Sequence, residues 1–102
     1  MLRYNVAKDL DGAIADYTRA LQFEATDAAL FYGRATARQK KNDLEGALVD
    51  YTKTIEFDPT HALAYANRGV VKVLLKKPDA AADFESAFRL NPSLKAILQR
   101  VL

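Results

Sequence analysis

The stretch Gly12–Phe23, GAIADYTRALQF, returns thirty-four residues later as Gly46–Phe57, GALVDYTKTIEF. Laid over the longer windows Asp11–Thr26 and Glu45–Thr60, seven of sixteen positions are identical: Gly12/Gly46, Ala13/Ala47, Asp16/Asp50, Tyr17/Tyr51, Thr18/Thr52, Phe23/Phe57 and Thr26/Thr60. A weaker third copy follows at a shift of 33, pairing Asp50 with Asp83, Tyr51 with Phe84, Ile55 with Phe88, Phe57 with Leu90 and Pro59 with Pro92. The segments between the copies repeat as well, with Phe31 on Tyr65 and Arg34 on Arg68. The missing residue falls near Lys77–Pro78, in a turn, where a deletion shifts no buried contact out of register. A fixed period of this length means a stack of supersecondary units, each too small to bury its own apolar faces.

Each unit reads as two helices. Over residues 43–57 the apolar positions Leu44, Ala47, Leu48, Tyr51, Ile55 and Phe57 recur at helical spacing opposite a polar face. Asn42 or Asp43 can cap that helix, Asp58-Pro59 ends it, and Thr60 stands where it can cap the next one. Pro78 fits the first position of a helix, where its missing N–H has no partner. Helices are expected over about 2–8, 10–23, 27–40, 43–57, 61–75, 78–90 and 93–102, and no segment alternates like a strand. The fold class expected is all-α, with antiparallel helix–turn–helix units. The glycines of the repeated Gly12/Gly46/Asp79 slot cost helix propensity, and close crossing of the paired helix is the expected reason for them.

A 34-residue helix–turn–helix unit with these residues resembles the tetratricopeptide repeat (TPR). The second unit carries the resemblance on Phe31, Ala35, Ala47, Tyr51, Thr54 and Pro59, and the third on Tyr65, Gly69, Ala80, Phe84, Ala87 and Pro92. The first keeps Ala13, Tyr17, Ala20 and Leu21, with Ala25 in place of the proline. The resemblance covers about residues 1–92 and implies a right-handed superhelical α-solenoid in one domain. It divides into a partial repeat (1–27), a full repeat (28–61), a repeat one residue short (62–92) and a C-terminal capping helix (93–102). Arg38 and Lys72 occupy a slot where such repeats often hold tyrosine, so their long stems are expected to snorkel there. Met1 falls at the eighth position of its repeat. The face bearing Ile14, Tyr17 and Leu21 is therefore expected to stay partly uncovered and to drive homodimerisation or a domain-swapped oligomer.

In the family, the first helices of the units line a concave groove that holds a peptide. Carried over, the groove-facing residues are Ala29, Tyr32, Thr36, Gln39 and Lys40 in the second unit, and Leu63, Ala66, Asn67, Val70, Val73 and Leu74 in the third. One end is polar and the other apolar. Val70, Val73 and Leu74 have a competing and preferred use, packing beneath the apolar stripe Leu94, Ile97, Leu98, Val101 and Leu102 of the last helix. The carboxylate clamp by which some TPRs grip acidic chaperone tails is not expected, because only Asn67 fits a clamp slot in either register considered. Arg34 and Arg68 share one repeat position, so the repeat itself accounts for their spacing. Asp16, Asp50 and Asp83 share another, lie too far apart to hold one metal, and read as solvated or capping residues.

Composition narrows the function. Fifteen basic and thirteen acidic residues are well mixed, and the net charge of +2 lacks the one-sided basic footprint of a nucleic-acid binder. The clusters Arg38–Lys41 and Lys76–Lys77 sit near helix C-termini, where cations offset the macrodipole. There is no cysteine, and His61 is the only histidine, so no nucleophile, metal set or cofactor site is expected. The absence of a signal core, a membrane span and cysteine points to a cytoplasmic location. The function expected is non-catalytic binding of a protein or peptide in the groove, with self-assembly through the first unit as the alternative.

Overall fold

The computed structural model describes residues 6–101, with side chains described for residues 9–97. Six helices follow one another: α1 (Val6–Leu21), α2 (Ala28–Lys40), α3 (Leu44–Phe57), α4 (Ala62–Leu74), α5 (Ala80–Leu90) and α6 (Ser93–Val101). The described residues contain no strand. Each helix packs chiefly on its neighbours in sequence: α2 on α3 and α4 on α5 as hairpins, α1 on α2 and α3 on α4 between hairpins, and α5 on α6 at the end. That nearest-neighbour pattern is an α-solenoid.

Two repeat-related turns make the hairpins. Asn42 (φ 69°) and Lys76 (φ 58°) adopt the left-handed conformation that ends α2 and α4. The Asp43 N–H donates to the Arg38 carbonyl and the Lys77 N–H to the Lys72 carbonyl, each at 2.8 Å, closing the same Schellman motif twice. Asn42 is therefore the terminator of α2, and Asp43 is the cap of α3, its carboxylate accepting from the Gly46 N–H at 3.0 Å. His61, rather than Thr60, caps α4: its Nδ1 accepts from the Ala64 N–H at 3.2 Å. Thr60 instead donates its N–H and hydroxyl to Asp58, and those two bonds hold the Asp58 carboxyl below the usual carboxylate range.

Several expectations need correction. The break expected near residue 9 does not occur, since α1 runs unbroken from Val6, and the rest of the helix expected over 2–8 lies outside the described residues. Pro78 stands in the turn rather than at a first helical position. Asp79, with φ 76° and no side-chain cap bond, precedes α5, so the missing residue is absorbed by a late helix start. The Gly12/Gly46/Asp79 slot is not a helix crossing. A Cβ at Gly12 would meet open space, and one at Gly46 would fall on the Asp43 capping carboxylate. Close approach occurs elsewhere. A Cβ at Gly33 would collide with the hydroxyl end of the Tyr17 ring, and one at Gly69 would stand 2.9 Å from Phe84.

The core is built largely from alanine, which lets helix axes come close. Ala35, Ala47, Tyr51, Ala64 and Val71 are fully buried, with Tyr32, Leu44, Leu48, Ile55 and Leu75 packed around them. A second cluster of Ala66, Ala87 and Leu94, flanked by Tyr65 and Phe88, seats α6 on the last hairpin. The Ile14/Tyr17/Leu21 face is not the open one. Tyr17 lies over Gly33 and Leu21 is buried, because this face of α1 is turned toward α2.

Candidate functional site

The stacked helices are tied together by an ion network that the repeat builds twice. Arg34 of α2 donates Nε and Nη2 to the two carboxylate oxygens of Asp50 on α3, each at 2.9 Å. Its third nitrogen, Nη1, donates to the Thr18 hydroxyl on α1 at 3.1 Å, and Arg38 adds a bond to Asp50 at 3.0 Å. One turn of the solenoid later, Arg68 of α4 forks onto Asp83 of α5 at 2.8 and 2.9 Å and reaches Thr52 of α3 at 3.4 Å. Lys72 completes the copy at 3.0 Å from Asp83. Each arginine thus ties three helices, and each aspartate is buried with its lone pairs satisfied.

This overturns the reading of Asp50 and Asp83 as solvated or capping residues. Burial of a carboxylate requires a paired, hydrogen-bonded partner, and the repeated arginine is that partner. The signal was present in the chain: Arg34 precedes Asp50 by sixteen residues and Arg68 precedes Asp83 by fifteen. Arg38 and Lys72 do not merely snorkel but bind the same carboxylates.

Two pockets are lined mainly by α2 and α4, the first helices of successive units, and they occupy the same repeat slots. The first, about 360 Å³, is lined by Thr36, Gln39 and Lys40 of α2, Tyr51 of α3 and Asn67 of α4. The second, about 230 Å³, is lined by Val70, Val73 and Leu74 of α4 and Phe84 of α5. Thr36, Gln39, Lys40 and Tyr51 of the first pocket align with Val70, Val73, Leu74 and Phe84 of the second. One slot set is therefore written once in polar residues and once in apolar ones.

In the polar pocket the Tyr51 hydroxyl donates to Gln39 Oε1 at 2.6 Å, leaving the Gln39 amide nitrogen free to donate. Asn67 Nδ2 donates to the Tyr32 hydroxyl at 3.1 Å, leaving the Asn67 carbonyl oxygen available. The Tyr32 ring is wedged between Tyr51 (5.8 Å) and His61 (4.5 Å). Burial raises the pKa of both tyrosines above the ordinary phenol value, so they act here as neutral hydrogen-bonding groups. Lys40 is exposed and supplies the pocket's positive charge. In the apolar pocket Val73 and Leu74 are each more than half exposed, an unusual display for aliphatic side chains.

The sequence-derived groove residues sort accordingly. Thr36, Gln39, Lys40 and Asn67 meet in one pocket with Tyr32 just behind, and Val70 and Val73 meet in the other. Leu63 is exposed and lines neither pocket. Ala66, at 4% exposure, is packed against Ala87 and Leu94 and offers a ligand nothing. The preferred packing under the last helix does not cover Val73 and Leu74, which are exposed, while Val70 is half-buried. The described residue that α6 buries is Leu94, which sits on Ala66 and Ala87, while Ile97 is exposed and the side chains of Leu98, Val101 and Leu102 lie outside the described residues. Sequence reasoning missed Tyr51 and Phe84 as pocket walls, having read them only as residues of the repeat pattern.

Stacked helix pairs, each packed on its neighbours in sequence, define a helical-repeat domain. No protein-family profile and no curated protein matches the sequence. Solved structures do match. The second TPR of Spaghetti (RPAP3), bound to the HSP90 peptide SRMEEVD, aligns with TM-score 0.77 at 34% identity, covering 80% of this chain and 77% of that one. The second TPR domain of human RPAP3, in complex with the HSP70 peptide SGPTIEEVD, gives TM-score 0.77 at 34% identity over 81% of this chain and 70% of that one. The first TPR of Spaghetti (RPAP3), also bound to SRMEEVD, aligns with TM-score 0.80 at 24% identity over 92% of this chain and 81% of that one, a likeness of fold. This chain belongs to the tetratricopeptide repeat family. No helix among the described residues is long and apolar enough to cross a membrane.

Proposed function

We propose that this chain is a non-catalytic interaction module that holds an extended peptide in its concave groove, across the polar and apolar pockets of α2 and α4. The observation that carries this reading is the pair of slot-equivalent pockets on adjacent first helices, one offering Lys40 and Gln39 donors, the other exposed Val73 and Leu74. Asn67 of α4 reaches Tyr32 of α2, so both pockets lie along one side of the stack. The ligand that fits presents an acidic or amide side chain to the first pocket and an apolar one further along to the second. The structures similar to this one were determined with peptides whose sequences place glutamates beside isoleucine, methionine or valine, which supports that class.

The grip differs from a terminal-carboxylate clamp. In one register the clamp slots hold Tyr32, Thr36 and Asn67 and in the other Gly33, Leu63 and Asn67, so neither supplies a cation, and one Asn67 amide N–H is already given to Tyr32. Binding of SGPTIEEVD therefore survives amidation of its C-terminus. Calorimetric titration tests this: the free acid and the amide bind alike, and Lys40→Glu and Val73→Glu each weaken both by about tenfold. Loss of binding on amidation alone, or indifference to both substitutions, rejects this mode.

A further inference from the structure

The start of α4 is held by a group that can take up a proton. The N-cap slot of the first helices holds Asp27 in the second unit and, thirty-four residues on, His61 in the third. Asp27 accepts from the Ala29 N–H at 2.9 Å, and His61 accepts from the Ala64 N–H through Nδ1 at 3.2 Å. Only the neutral ring with its proton on Nε2 can do this, because a protonated Nδ1 turns the acceptor into a second donor. The half-buried His61 ring also lies against Tyr32, with centroids 4.5 Å apart. The Tyr32 hydroxyl accepts from Asn67 Nδ2 at 3.1 Å, and Asn67 lines the polar pocket. A short chain of contacts therefore runs from the cap of α4 through Tyr32 to the pocket wall.

We propose that His61 is a proton-sensitive catch on the polar pocket: its neutral ring caps α4 and braces Tyr32 and Asn67, and its protonation loosens them and weakens peptide binding. The proposal rests on the groove being the peptide site. Histidine is the side chain whose ordinary titration falls between about pH 5 and 8, and His61 is the only one in the chain. The titratable groups that face it keep one charge across that range. Asp58, in the turn before α4, is held below the usual carboxylate range by its bonds from Thr60 and stays ionised. Tyr32 of α2, and Tyr51 of α3 behind it, are raised above the ordinary phenol value by burial and stay neutral. The first turn of α4 has no acidic residue to receive an imidazolium, and the charge meets the positive pole of the helix. Asp58 attracts the charged ring but cannot restore the cap, because the Ala64 N–H requires an acceptor. That N–H keeps the His61 carbonyl at 3.1 Å, so protonation loosens the first turn of α4 without unfolding it.

Magnetic resonance of the full chain between about pH 7.5 and about pH 5.5 tests the coupling with no ligand present. The expected result is that the Ala64 amide and the Asn67 side-chain amide shift together with the His61 ring protons. Calorimetric titration at both ends of the range then reads the pocket. The probe is SGPTIEEVD acetylated at its N-terminus and amidated at its C-terminus, whose carboxylates stay ionised throughout. Its affinity is about three- to fivefold lower at the acid end, the size of one N-cap contribution. His61→Asn keeps a capping oxygen that does not titrate, and it binds the peptide equally at both ends. Asn67 resonances that ignore the His61 titration overturn the proposal, as does a parent affinity that is unchanged with pH or a pH dependence that His61→Asn retains. Should the peptide bind at neither pH, the groove reading fails by itself, and the Asn67 resonances alone decide the proposal.

Discussion

Replacing the aspartate of one repeat slot by alanine in all three units separates sequence from environment. Asp50 is fully buried and accepts three charge-assisted bonds, two from Arg34 and one from Arg38, which are themselves 16% and 25% exposed. Removing it strands two mostly buried cations and slackens the Arg34 tether to Thr18, the situation in which breaking a pair costs about 3–5 kcal/mol. Asp83→Ala strands Arg68 and Lys72 and falls in the same range. Asp16→Ala removes only an exposed pair within one helix, worth about 0–0.5 kcal/mol. Urea unfolding followed by circular dichroism reads the difference. With a slope near 1–1.5 kcal/mol per molar for a domain of this size, the Asp50 and Asp83 midpoints fall by about 2–5 M and the Asp16 midpoint barely moves. Equal losses at all three positions, or a loss below about 1 kcal/mol at Asp50, would refute the argument that the arginine fork holds the stack together.

Other consequences are more local. Gly33→Ala drives a methyl into the Tyr17 ring and destabilises by about 1–3 kcal/mol, whereas Gly12→Ala, facing open space, stabilises by about 0.5–1 kcal/mol; thermal melts give both signs. Asp43→Ala removes the α3 cap and costs about 1 kcal/mol in urea titrations. Burial raises the Tyr51 pKa, so the folded state favours the neutral phenol. Stability is full below pH ~10 and declines as pH rises further, by up to about 1.4 kcal/mol per unit. Urea midpoints across that range show the decline in the parent chain, and Tyr51→Phe flattens it.

The periodicity and the all-helical class were legible because each signal was local or recurred: apolar spacing, capping aspartates, and one period read three times. Where reading failed, the cause was a relation between elements. Asp50 and Asp83 looked solvated when taken alone, since a single sequence prices a buried carboxylate only once its partner arginine on another helix is known. Gly46 looked like a crossing point, yet its missing side chain makes room for a capping group three residues earlier in its own turn. The two faces of α1 were exchanged for a similar reason. Period and hydrophobicity mark Tyr17 and Leu21 as apolar, but only packing shows that α2 covers them and leaves Asp16 and Phe23 outside. Among the groove residues, Ala66 shares a helix with Val70 and Val73, but α5 and α6 close over it.

The claim at the centre of this account is that one row of repeat slots, polar on α2 and apolar on α4, is the peptide site. Backbone amide shifts on titration with C-terminally amidated SGPTIEEVD test it most directly. The account predicts perturbations clustered at Thr36, Gln39 and Lys40 and at Val70, Val73 and Leu74, with α1 unmoved. Shifts that avoid both helices, or that appear only with a free terminal carboxylate, would contradict it.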